Sequence, residues 1–158
     1  MGTTFKVYFP RVNEPPDVIS SSTEQTVPRG SGTILLVEDD EAVRKLTSEL
    51  LTSHGYKVLP AQNGTAALEI SERYPDKIAL LLTDIVMPGM SGPDLVEKLK
   101  SQRPDMNVLY MSGYAGRLLS HYGMLRVETE FLSKPFTKRD LLARVSASIR
   151  NSARNGLT

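Results

Sequence analysis

Short apolar runs alternating with segments of helical spacing are the feature that most limits what this chain can become. Ile34-Leu35-Leu36-Val37 and Ile78 to Leu82 are unbroken in aliphatic character, the pattern of strands buried on both faces. Tyr56 to Leu59, Asn107 to Met111 and Phe131 to Leu132 read as three further strands. Asp40 to Ser53 carries Val43, Leu46, Leu50 and Leu51 at helical spacing, with Gly55 just past its end. Ala66, Ala67 and Ile70 share one side of a helix that stops before Pro75. Asp94 to Lys100 holds Leu95, Val96 and Leu99, and Lys138 to Arg150 holds Leu141, Leu142, Val145 and Ile149. From Ala115 to Glu130 the pattern weakens to one short helix around Leu118 and Leu119, then a loop. Strands alternating with helices predict an α/β fold, a parallel sheet covered on both faces. Such sheets bind ligands outside the carboxyl ends of their strands, so the residues that end each strand matter most.

Composition removes several chemistries. Nineteen Lys and Arg against 18 Asp and Glu leave a net charge of +1, too little for a polyanion-binding field. The chain has no Cys, which excludes disulfides, thiolate metal sites and a cysteine nucleophile. Its two His, His54 and His121, lack metal-ligand spacing. The run from Ile78 to Leu82 is far too short to cross a bilayer, and no signal peptide is visible. The expectation is a soluble cytoplasmic protein with no direct membrane insertion. Lys138, Arg139, Arg144 and Arg150 on the last helix read as a solvated charged face, and no basic arm or aromatic platform points to nucleic acid.

The strand ends are chemically dense. The first strand ends in Glu38-Asp39-Asp40, the third in Thr83-Asp84, the fourth in Ser112-Gly113 and the fifth in Ser133-Lys134-Pro135. A parallel sheet brings these to one edge. Two like charges about 5 Å apart at an effective dielectric of about 20 repel by roughly 3 kcal/mol, so the cluster needs protonation or a cation. Few, hard oxygen ligands suit Mg²⁺. Lys134 could balance a carboxylate or bind a phosphoryl oxygen, Ser112 supplies a hydroxyl, and Gly113 leaves its backbone N–H unobstructed. Helix capping competes with this reading. It is the better account of Asp40 and Glu41, and an even rival for Glu38 and Asp39. It fails for Asp84, because Met87-Pro88-Gly89 cannot begin a helix at once.

Four segments carry a resemblance: Ile34 to Asp40, Leu82 to Gly92, Met111-Ser112-Gly113-Tyr114, and Phe131-Leu132-Ser133-Lys134-Pro135-Phe136. In this order they closely resemble the receiver domains of two-component response regulators, over Thr33 to about Arg150. The resemblance implies a flavodoxin-like, doubly wound sheet of five parallel strands in the order 2-1-3-4-5. It implies Asp84 as phosphoacceptor, Asp39 as direct Mg²⁺ ligand, Glu38 as its acidic partner and the Val86 carbonyl as a further ligand. Ser112 matches the family's switch hydroxyl, Phe131 its switch aromatic, Lys134 its phosphate-binding lysine, and Pro135 a position that follows a cis bond. Glu38 replaces the more usual Asp, and Arg117 to Glu130 matches the family poorly where its partner surface lies. The implied phosphoryl donor is a histidine kinase or a histidine phosphotransfer domain.

The domain expectation has four parts. Residues 1–11, with Gly2 to Pro10, resemble the last strand of the ATP-binding domain of sensor histidine kinases. Residues 12–32, rich in Pro, Ser and Thr, read as a flexible linker. Residues 33–150 form the receiver and 151–158 a tail. That arrangement suggests the C-terminal part of a hybrid histidine kinase, which without the ATP-binding machinery is not itself a kinase. Two rival functions are weighed against it. A haloacid-dehalogenase-like phosphatase needs two Asp flanking one residue, and the sequence reads Asp84-Ile85-Val86. A protein-interaction module of the same fold would work without phosphorylation.

Overall fold

The structure, a computed structural model, describes residues 30–113 and 130–155, with side chains through residue 150. The N-terminal strand and most of the linker, the short helix around Leu118 and Leu119, and the last three residues of the tail lie outside the described residues. Five strands form one sheet: β1 Thr33–Val37, β2 Lys57–Ala61, β3 Leu80–Asp84, β4 Asn107–Ser112 and β5 Glu130–Ser133. All neighbours are parallel and the order is β2-β1-β3-β4-β5, as the resemblance implied. Four helices are described: α1 Glu41–Ser53, α2 Gly64–Arg73, α3 Gly92–Gln102 and α4 Lys138–Asn155.

Strand alternation divides the core in two. Ile34, Leu36, Leu80, Leu82, Leu109 and Met111 pack with Leu51 of α1 and Leu141 and Val145 of α4. Leu35, Val37 and Leu81 point the other way, against Ala67 of α2 and Leu95 and Leu99 of α3. Every residue of β1 is buried, which is why its sequence is continuous rather than alternating.

Boundaries differ from expectation in ways the local chemistry explains. β2 runs through Pro60 to Ala61 rather than stopping at Leu59, because an edge strand tolerates a residue with no N–H to give. α3 starts at Gly92, two residues early, on a capping box between Ser91 and Asp94 with Pro93 in its first turn. α4 continues five residues past Arg150, to Asn155. At the other end, Gly30 donates to the His54 carbonyl and Gly32 accepts from Lys57, so these residues run alongside the α1–β2 turn.

Candidate functional site

Strand order decides which side chains meet. β1 and β3 are neighbours, with Val37 paired to Thr83, so the residues that follow or end them emerge side by side. Glu38, Asp39 and Asp84 each present a carboxylate oxygen, and these atoms all lie within 4.8 Å of one another. Lys134, one residue beyond β5, reaches back across the edge. Its Nζ lies 2.6 Å from Glu38 Oε2 and 2.7 Å from Asp84 Oδ2. The backbone N–H of Lys134 donates to the Ser112 carbonyl at 2.8 Å, and the Lys134–Pro135 peptide is cis, as the resemblance implied.

Burial sets the electrostatics. The Glu38 side chain is only 2% exposed, while those of Asp84 and Lys134 are 17% and 22% exposed. Burial raises the Glu38 carboxyl above its ordinary range; Lys134 pulls it back and the nearby Asp84 charge adds to the rise. For Lys134, burial opposes the charged form, but its hydrogen bonds to Asp84 and Glu38 outweigh that and hold the ammonium above its usual value. Three carboxylates and one ammonium sum to a charge of −2 when all are ionised. The oxygen donor set, open on one side through Asp39 and Asp84, fits a small, hard dication.

The remaining predicted residues sit around this cluster. Ser112 is buried at the end of β4. Gly113 is exposed, and a Cβ built on it would meet nothing within 4 Å, so no packing demand explains the glycine. Phe131 is half-buried and stacks on Tyr110 with ring centroids 5.7 Å apart. Burial pushes the Tyr110 hydroxyl up to about 12. Val86 has an exposed side chain, and its N–H donates to Asp84 Oδ1 at 3.3 Å. Asp84 thus accepts one local bond where the sequence offered no capping partner. Asp40 is the N-cap of α1, bonded to the Val43 N–H, and Glu41 lies in the first turn. The capping account of these two residues is correct.

Three residues that support the site were not singled out from sequence. Thr83, fully buried, donates its hydroxyl to the Asp84 carbonyl at 3.0 Å. A Cβ on Gly92 would lie 2.3 Å from that same carbonyl oxygen, so only glycine lets α3 begin so close to β3. Arg44 donates through Nη1 to the carbonyls of Glu38 at 2.7 Å and Asp39 at 3.3 Å. All three act on backbone atoms, which leaves little trace in a sequence. A glycine opening a capped helix was the one available signal.

Residues 34–146 match the family model of the response regulator receiver domain. The chain is 37% identical over 152 residues to the sensor kinase CckA of Brucella abortus, a match covering 91% of this chain but 16% of that kinase. It is 38% identical over 109 residues to the response regulator receiver protein CpdR of the same organism, covering 69% of this chain and 89% of CpdR. Among solved structures, the receiver domain of the hybrid histidine kinase CckA superposes with a TM-score of 0.64 at 36% identity, over 75% of this chain and 99% of that one. The family consists of signalling modules that accept phosphate from histidine kinases or phosphotransfer proteins and bind Mg²⁺ in an acidic pocket. None of the described helices is long and apolar enough to cross a membrane. Fold, acidic strand ends and family match agree: this chain belongs to the response regulator receiver domains, the phosphoacceptor modules of two-component signalling.

Proposed function

We propose that Asp84 is the residue of this chain that receives the phosphoryl group. The observation that carries this reading is the position of its carboxylate, partly open to solvent and 2.7 Å from the Lys134 ammonium, with Glu38 and Asp39 oxygens within 4.8 Å. A carboxylate oxygen of Asp84 attacks the phosphorus of a phosphohistidine; the P–N bond breaks, a P–O bond forms, and the imidazole leaves. Such transfers ask the protein mainly for alignment and charge neutralisation. Lys134 neutralises a phosphoryl oxygen. Glu38, Asp39, Asp84 and the Val86 carbonyl would hold Mg²⁺, which when bound supplies the remaining positive charge. The acyl phosphate adds about −1.5 to −2 charge at neutral pH. Ser112 turns its hydroxyl toward one of the new oxygens, and Phe131 moves from its stack on Tyr110 toward the space behind it.

The parent protein in this reading is a hybrid histidine kinase, with residues 12–32 joining its ATP-binding domain to the receiver. The CckA match supports this, since it covers more of the chain than residues 30–158 contain and so runs into the segment before β1. The donor is then the phosphohistidine of a histidine kinase or a phosphotransfer domain.

Intact mass after incubation with acetyl phosphate tests the assignment. One Mg²⁺-dependent phosphoryl adduct is expected on the parent chain and none on Asp84→Asn. An adduct that survives in Asp84→Asn would move the acceptor elsewhere. Ring resonances of Phe131 and Tyr110 should shift on adding beryllofluoride with Mg²⁺, and unmoved resonances would remove the switch while leaving the acceptor intact.

A further inference from the structure

The loop from Glu38 to Asp40 leaves the sheet, with Lys134 and the Asp40 backbone holding the Glu38 carboxylate. β1 pairs with β2 and β3 only as far as Val37. Beyond that point the Glu38 N–H reaches the Ala61 carbonyl at 3.2 Å, and Asp40 is committed to capping α1. The carbonyls of Glu38 and Asp39 have passed the end of the ladder. A carbonyl left without a donor is costly where water cannot reach it, and of these two the Glu38 carbonyl is the partly buried one. Arg44 supplies that donor. It stands one turn into α1, and the Asp40 cap and the bond from Arg44 N–H to the Asp40 carbonyl fix its own backbone. From there Nη1 bridges both carbonyls, at 2.7 and 3.3 Å.

Lys134 and Arg44 differ in what they bind. Lys134 pairs with carboxylate oxygens that would ligate a cation. Arg44 binds main-chain oxygens, so it can fix the loop without competing for the ligand atoms. We infer that Arg44 is a positioning residue for the Mg²⁺ site, clamping the Glu38 and Asp39 carbonyls so that both carboxylates face Asp84. The inference rests on the metal-binding reading above. Groups that orient metal ligands from outside typically contribute about 10- to 100-fold to affinity.

Calorimetric titration of Mg²⁺ into the 158-residue chain tests this, with Asp39→Asn as the control for the site itself. Arg44→Met should weaken Mg²⁺ binding about tenfold. Its labelling rate with acetyl phosphate should fall at low Mg²⁺ and approach the parent rate at saturation. Circular dichroism should show the variant fully folded before Mg²⁺ is added, so that loss of stability does not account for the split. An Arg44→Met variant that binds within twofold of the parent overturns the inference. If that variant does not fold, Arg44→Lys decides, because one ammonium can still reach a carbonyl. Weaker binding by the folded lysine variant supports the clamp, and parental binding overturns it. Failure of the parent chain itself to bind Mg²⁺ would overturn the metal reading, and the clamp with it.

Discussion

The two edges of the sheet each hold a partly buried cation, and the contrast between them sets the proposed site apart from a structural one. At the amino edge, Arg103 follows α3 and binds the Ser71 hydroxyl at 3.0 Å and the carbonyls of Ser71, Asp76 and Tyr74 at 2.8, 2.9 and 2.5 Å. Its partners are neutral oxygens from the end of α2 and the loop before β3. Four of the guanidinium's five N–H donors meet these oxygens, in the several directions its planar fork allows. At the carboxyl edge, Lys134 brings one charge to three carboxylates. Burial of polar groups is common to both edges. A surplus of negative charge belongs to the second alone, and in the proposed function that surplus is what a dication would offset.

Removing each cation should expose the difference most strongly. Lys134→Ala leaves the Glu38 carboxylate buried beside two others, a loss of about 3 kcal/mol without Mg²⁺. Much of that loss should return when Mg²⁺ is added. Arg103→Ala leaves carbonyls and a hydroxyl without their donor, a loss of about 1–3 kcal/mol, and Mg²⁺ should stabilise it only as much as it does the parent. Urea unfolding with and without Mg²⁺ measures both. Equal Mg²⁺ responses in the two variants would break the comparison.

Gly92→Ala should have the next largest effect, and it acts through backbone rather than charge. The added methyl must displace the Asp84 carbonyl or the start of α3, since the built Cβ lies 2.3 Å from that oxygen and 3.2 Å from the Ile85 Cα. Forced repacking of this kind costs about 1–3 kcal/mol. It also moves Asp84 relative to Lys134, so the rate of labelling by acetyl phosphate should fall in parallel. A variant that is destabilised but labelled at the parent rate would show that α3 yields and the strand end does not.

The legible and illegible parts of the molecule divide along the same line. Short apolar runs ending near Glu38, Asp84, Ser112 and Lys134 announced a parallel sheet and the contents of its carboxyl edge, because side-chain chemistry is written directly in the sequence. Strand order came from the family resemblance; spacing alone could not supply it. Arg44, Thr83, Gly92 and Arg103 were passed over because each serves carbonyl oxygens, and every residue carries one. The end of β2 is a related case: the missing N–H of Pro60 matters only where a neighbour needs it, and edge position is a property of the sheet.

The smallest expected effect separates a carboxylate that caps from one that belongs to the cluster. Asp140 opens α4 on the same carboxyl edge as Asp84. Its Oδ2 accepts from the Thr137 hydroxyl at 2.7 Å and the Thr137 N–H at 3.1 Å, and its own N–H returns to Thr137 Oγ1 at 3.2 Å. These bonds hold its carboxyl below the ordinary aspartate value, although the group is exposed. A lowered value means the ionised form is favoured by folding. The contribution is therefore present above the unfolded-chain value near pH 4 and lost as pH falls through the lower folded value. Asp140→Asn should lower the unfolding midpoint slightly at pH 7 and match the parent in stronger acid, where both caps are neutral. Its Mg²⁺ affinity should equal the parent's, unlike that of Asp39→Asn. If Asp140→Asn weakened Mg²⁺ binding as much as Asp39→Asn, acidity along the whole edge would be at work, and the distinction between satisfied and unbalanced carboxylates would fail.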